Sequence, residues 1–301
     1  MHLIDHLITL GLSKKDAQQH LKNGKIFLCG IPTSDGRRDI DPKDVSFLPR
    51  APKMVPNRDP AIIHKDKGFV VVYKPAGYLS VRAINRHKDP TVMGFVHRIC
   101  GAAFAVHRLD EETSGLMLVA TDEETQTKLK DALEKREISR TYLALASGHI
   151  KAAFTANSTL IRNRGDGKRG SSHTQEEVQD HRNISKNRDF VARQPQGKQE
   201  EGKKAITHIK PLALLQGSTL VQCTLDTGRT HQIRIHLSEN RHPVLGDTLY
   251  APKSIQNKAD RLALHAHQLT LKHPDTGADL VFTSHLADDL EILRRSLVLK
   301  K

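Results

Sequence analysis

Cysteine is scarce in this chain: Cys29, Cys100 and Cys223 are its only three, widely separated and odd in number. No Cys-x-x-Cys pair exists, which argues against a zinc ribbon and against a disulfide framework. Long apolar runs are missing too, and none approaches the roughly 18 residues of a membrane-spanning helix. The opening MHLIDHLITLGLSKK carries an aspartate within its apolar stretch and no small-residue cleavage site, so no signal peptide is expected. There is no G-x-x-x-x-G-K-[ST], and no G-x-G-x-x-G follows a strand, so no nucleotide cofactor is indicated. No G-x-S-x-G elbow marks a serine nucleophile. Internal repeats are absent as well. These absences leave a soluble, cytoplasmic protein without a membrane partner as the expectation.

What the chain has is positive charge and histidine. Lysine and arginine number 47 against 34 aspartate and glutamate, a net charge of +13. That balance suits a polyanionic partner. The 18 histidines invite a metal hypothesis. However, His231 and His236 are five apart, which fits neither an i, i+4 helical pair nor H-E-x-x-H. His265 and His267 alternate on an expected strand. Packing or hydrogen-bonding roles are favoured for all four, and no metal is expected. Asp226-Thr227-Gly228 has the form of an aspartic-protease triplet, but those enzymes need two carboxylates sharing a proton. No second copy exists and Arg229 follows at once, so the triplet reads as a turn.

Along the chain, Leu3, Ile4, Leu7 and Ile8 recur at helical spacing, ending near Gly11. Ser13 fits an N-cap, with Asp16 at the capping-box position and Ala17 and Leu21 on the apolar face of a second helix. Gly24 fits its stop. Strands are expected at residues 25–29 and 45–48. Lys14, Lys15, Lys22 and Lys25 lie on or beside the second helix, away from its apolar face. The order of elements, with GLSKKDAQQHLKNGKIFLCG at its centre and DPKDVSF closing it, resembles the small RNA-binding domain first seen in a small-subunit ribosomal protein. By that resemblance residues 1–50 form an S-four-like α/β RNA-binding module whose four lysines meet RNA. Proline-bearing residues 51–61 read as a linker.

Residues 62–301 are strand-rich. Residues 69–73 are a buried-type run closed by Lys74-Pro75-Ala76-Gly77. Thr121 and Glu124 suggest a capping box for a helix with Leu129 and Leu133 on one face. Strands are expected at 142–146, 205–215, 219–225, 261–271 and 279–282, with a helix at the end. The stretch RTHQIRIHLSENRHPVLGD fits helix and strand equally well. Residues 163–204 are polar and basic with few apolar side chains, so they read as a surface insertion. Pattern alone indicates an α+β domain.

One stretch concentrates the chemistry. In HRLDEETSGLMLVA, residues 107–120, Asp110 stands beside Arg108 where a turn feeds an apolar strand. A neighbouring cation favours a carboxylate's charged form. Taken alone, such a pair would be an ordinary surface contact. Four ordered blocks give it another meaning: VVVYKPAGYLSV, HRLDEETSGLMLV, SRTYLALASG and LDTGRTHQIRIHLSENRHPVLGDTLY. With the tail LALHAHQLTLKHPDTG they resemble the RluA-type family of RNA pseudouridine synthases from about residue 62 onward. The polar segment 163–204 is the main departure from the family's pattern.

The resemblance implies a mixed, mostly antiparallel sheet with flanking helices and an RNA cleft across one face. It implies isomerisation of uridine to pseudouridine in structured RNA, ribosomal or transfer, without cofactor; a monomer is the expectation. Asp110 would be the essential carboxylate. Arg234 would pair with it, and Tyr142 would stack on the base and assist proton removal. Arg108 would enter the RNA stack as the uridine leaves, since flipping costs a few kcal/mol. Lys74, Arg229 and His231 join the RNA-binding set. The alternative is a non-catalytic RNA-binding protein that keeps a retired synthase domain.

Overall fold

The computed structural model describes residues 1–22, 59–83, 86, 89–164, 168–172 and 202–298, with short pieces between 26 and 47. At the N-terminus, helices α1 (Leu3–Thr9) and α2 (Lys14–Lys22) precede strands β1 (Ile26–Leu28), β2 (Ile31–Pro32) and β3 (Val45–Phe47). The strands pair antiparallel in the order β2-β1-β3. Leu3, Leu7, Ala17, Leu21 and Ile26 bury into one small cluster, so the helical spacing marks the packing face. Ile8 instead lies exposed. Ser13 caps α2: its Oγ accepts from the Asp16 amide at 3.1 Å and donates to the Asp16 carboxylate at 2.7 Å. Lys14 and Lys15 are exposed and Lys22 closes α2. Lys25, Gly24 and residues 51–58 of the expected linker lie outside the described residues.

An 11-stranded sheet organises the remainder. Its path runs β10 (Gly170–Ser171), β9 (Phe154–Ile161), β11 (Lys203–Leu215), β12 (Ser218–Leu225), β8 (Ser139–Ser147), β13 (Leu264–Lys272), β7 (Ser114–Ala120), β5 (Phe69–Lys74) and β4 (Ala61–Lys65). Strand β14 (Asp279–Thr283) adds to β13, and β6 (Phe104–Ala105) adds to β7. All pairs are antiparallel except β13 with β7. The expected mixed, mostly antiparallel sheet with flanking helices is what forms.

Period-two alternation splits the central strands between two cores. Val70, Val72, Met117 and Val119 face one cluster, joined by Val92 and Val96 of α3 (Val92–Cys100). Phe69, Val71, Leu116 and Leu118 face the other, joined by Leu129 of α4 (Glu123–Glu134). Both faces are covered, so these strands read as continuous apolar runs. Where β7 meets β13, Gly115 adopts φ +111° and a Cβ there would lie 2.2 Å from the Ala266 carbonyl oxygen. Only glycine fits that junction. Among the described residues no helix is long and apolar enough to cross a membrane.

Several details depart from the sequence reading. Asp122, not Thr121, caps α4, its Oδ1 accepting from the Thr125 amide at 2.7 Å. Thr121 is held outside the helix by its amide, which donates to the Gly68 carbonyl at 2.8 Å. The undecided HQIRIHL stretch is helix α5 (Gln232–Glu239), buried at every position from Gln232 to Leu237. A helix buried all round shows no amphipathic period, which is why spacing could not decide it. The polar segment contributes to the sheet at both ends. Gly170 and Ser171 pair with Ile161 and Leu160, and β11 already begins at Lys203. Residues 173–201 lie outside the described residues. Strand β13 starts at Leu264, since Arg261 turns away to pair with Asp289.

Candidate active site

The loop between β6 and β7 is held by contacts at His107, Leu109 and Glu111. The His107 Nε2 accepts from the Leu118 amide at 3.0 Å. The Ser80 hydroxyl donates to the Leu109 carbonyl at 2.7 Å and accepts from the Leu109 amide at 3.0 Å. The Glu111 carbonyl accepts from the Gly77 amide and from Lys74 Nζ, each at 2.8 Å. Arg86 grips the Glu111 carboxylate through two nitrogens, at 2.7 and 3.0 Å. With the loop so fixed, Asp110 presents its carboxylate to a cavity of about 650 Å³.

Lys74 corrects the sequence reading. It is fully buried, and its ammonium donates to the carbonyls of Pro75, Tyr78 and Glu111 at 3.1, 2.8 and 2.8 Å. Burial pulls its pKa down to about 7 against the opposing charge of Asp110. It carries the Asp110 loop and offers nothing to RNA.

The other cavity walls come from β8, α5 and the turn before α5. Tyr142 sits on β8 in register with Ala266 of β13, which in turn lies beside Gly115 of β7. Its ring is buried, and burial raises the phenol pKa. Its hydroxyl makes no hydrogen bond among the described residues. Arg108, exposed, lines the same cavity with Arg140, Arg229 and His231.

Arg234 is almost wholly buried on α5. Its NH1 reaches the Asp110 Oδ2 at 3.4 Å, a long contact. Its Nε and NH2 each meet Asp247 at 2.8 Å, a bidentate pair. Asp247 is therefore its main partner and Asp110 its second. Burial alone would raise the Asp247 carboxyl. The guanidinium and the amides of Leu249 and Tyr250 outweigh that and hold it below the usual range. The Arg234 guanidinium also lies 5.3 Å from the Tyr250 ring centre.

His231 adopts φ 60°, an uncommon left-handed conformation for this residue type. Gln232 holds the turn: its Oε1 accepts from the Thr227 hydroxyl at 2.7 Å and the Arg229 amide at 3.0 Å. Asp226-Thr227-Gly228 is thus a turn stapled by the next helix. The left-handed entry brings His231 Nε2 to 3.8 Å from the Asp110 Oδ1 and its Nδ1 to 2.9 Å from the Tyr250 hydroxyl. Burial lowers the imidazole pKa, with Asp110 opposing and Arg234 adding to the effect. A neutral ring beside Asp110 is the consequence near pH 7. Glu112, raised mainly by burial, adds a second carboxyl close by. Among the described residues, Thr113 Oγ1 and Arg140 Nε, two buried side-chain atoms of cavity-lining residues, find no hydrogen-bond partner.

The structure thus gathers Asp110, Tyr142, Arg234, Arg108, Arg229 and His231 around one cavity, while Lys74 lies behind it. Sequence reasoning missed Asp247, Tyr250 and Ser80. The signal for the first two was the GDTLY ending of the fourth block, read there as resemblance without a role.

A carboxylate fixed against a buried arginine, facing a cavity walled by a tyrosine, is a site for acid–base or nucleophilic work on a polar ring. The family described as RNA pseudouridylate synthase matches residues 68–239, and the chain belongs to that family of isomerases. Among curated relatives, ribosomal large subunit pseudouridine synthase D of Vibrio parahaemolyticus is 31% identical over 253 residues, 78% of this chain and 70% of that one. The protein of the same name in Escherichia coli K12 is 32% identical over 247 residues, covering 76% and 68%. The solved structure of human RNA pseudouridylate synthase domain containing 1 shares the fold at TM-score 0.57 and 23% identity, covering 79% of this chain and 94% of that one.

Proposed function

We propose that this chain isomerises uridine to pseudouridine in large-subunit ribosomal RNA, with Asp110 as the essential group. The observation that carries the reading is the fixed Asp110 carboxylate, paired to Arg234 in a cavity that Tyr142 walls. The reaction breaks the bond between ribose C1′ and uracil N1, turns the base and joins C1′ to C5. The C5 proton leaves to solvent and N1, freed from the sugar, takes one up, so atoms balance without a co-reactant.

Each residue has a task in that sequence. Asp110 serves as nucleophile or base. Arg234, held by Asp247, orients it and balances its charge. Tyr142 stacks on the uracil, and its free hydroxyl takes part in moving the C5 proton. Arg108, exposed at the cavity rim, fills the vacancy when the nucleotide leaves the RNA stack. The N-terminal helices, with Lys14 and Lys15 exposed, act as an S-four-like RNA-binding module. The ribosomal substrate is supported by the names of the relatives that span two thirds or more of their own length.

The test is a pseudouridine map of total RNA from cells with and without the gene. Loss of one or more sites in large-subunit ribosomal RNA is expected. An unchanged map, or losses confined to transfer RNA, would overturn the substrate assignment.

A further inference from the structure

A second cavity, of about 500 Å³, adjoins the first and shares Gly228 and Arg229 with it. Four cations line it: Arg162, Arg169, Lys203 and Arg229. No carboxylate among the described residues lines it. None of the four makes an ion pair among the described residues, whereas neighbouring Arg164 faces Glu239 at 4.0 Å. Four like charges around one concavity focus a positive field and favour an anion. The volume lies within the range of about 300–1,000 Å³ found for ligand sites.

Arg162, Lys203 and Arg229 are exposed and Arg169 is half-buried, but the backbone that carries them is fixed by neighbouring strands and turns. Arg162 follows the last residue of β9, and Lys203 opens β11, paired with Leu160 of β9. Arg169 precedes β10, whose Ser171 is clamped by Glu239 at the end of α5, through its amide at 2.9 Å and its hydroxyl at 2.6 Å. Lys168 Nζ donates to the Leu249 carbonyl at 2.6 Å, tying the same segment to the catalytic side. Arg229 Nε donates to the Lys204 carbonyl at 3.1 Å, which leaves both terminal nitrogens of its guanidinium uncommitted among the described residues. The field of Arg169 reaches His231 and Tyr250, both of which adjoin Asp110 or its arginine.

We propose that this cavity is a phosphate subsite for RNA, holding the backbone next to the nucleotide whose base enters the Asp110 cavity. The proposal rests on the RNA reading above and adds where the strand runs. Arginine forks suit phosphate oxygens geometrically. Contacts of this kind fix the register of the strand without reading its sequence.

The test is the affinity for a large-subunit ribosomal RNA transcript across a potassium chloride series. Wild-type protein is compared with Arg162→Ala/Arg169→Ala and with Arg162→Lys/Arg169→Lys. The alanine variant should bind roughly tenfold more weakly at low salt, and its log–log salt slope should flatten by about 1–2. The lysine variant should keep the wild-type slope, because charge is retained. A wild-type slope in the alanine variant would overturn the subsite, as would a lysine variant as impaired as the alanine one. Tritium release from the same transcript, labelled at uracil C5, separates the two levels. Normal release by wild type with an unchanged slope in the alanine variant sinks the subsite alone. No release by wild type sinks the substrate reading and the subsite with it.

Discussion

Arg234 has two carboxylates within reach and treats them unequally. Asp247 takes two hydrogen bonds at 2.8 Å with no exposure of its own, while Asp110 keeps one contact at 3.4 Å and part of its surface open. The close pair makes the guanidinium a fixed post, and the looser one leaves Asp110 free to reach a substrate. Asp247→Ala should therefore strand a buried cation, at a cost of about 3–5 kcal/mol. Thermal unfolding should register that loss, and turnover should fall further than stability alone explains. A variant with unchanged melting temperature would contradict the clamp. Asp110, Tyr142 and Arg234 were visible in the sequence because each lies within a recognisable block. Asp247 was not, since nothing in a spacing of thirteen residues says that the chain turns back to place a carboxylate on Arg234. Lys74 was misread for a related reason: lysine is almost never fully buried, so a surface role was the natural expectation.

At the scale of elements, the site depends on the junction of β7 with β13. Asp110 stands just before β7, and Tyr142 of β8 lies across β13 from it. That order holds only if β7 and β13 approach closely at Gly115. Gly115→Ala would drive a Cβ into the Ala266 backbone and demand φ +111° of a residue that resists it. The variant should lose several kcal/mol of stability, or fail to accumulate folded, as urea unfolding would measure. A fully stable, fully active Gly115→Ala protein would show that the close approach is dispensable. Strands with continuous apolar runs were legible in advance, as were the caps and turns carried by Ser13 and Asp226-Thr227-Gly228. Helix α5 was not legible, because burial on every side erases the period that marks a helix. The two ends of the polar segment were missed because the residues that pair there, Gly170, Ser171, Lys203 and Lys204, are small or charged and carry little apolar signal.

Over the whole molecule, the net charge of +13 is spread unevenly in use. The catalytic cavity mixes Asp110, Glu134 and Asp226 with six lysines and arginines, and Asp110 there is held by Arg234, whereas no carboxylate among the described residues lines the adjoining cavity. Excess charge then serves to draw and align a polyanion, and the Asp110–Arg234 pair serves chemistry. Sequence alone indicated the polyanion through composition, but the division of labour needed the fold, which brings residues from 108 to 247 to one place. That division makes binding and turnover separable, and Asp110 is where they part. Tritium release from uracil C5 in large-subunit ribosomal RNA, measured for wild type and for Asp110→Asn, tests the account most directly. The wild-type protein should release tritium, and Asp110→Asn should bind the RNA with little change yet release none. Release by Asp110→Asn at the wild-type rate would contradict it.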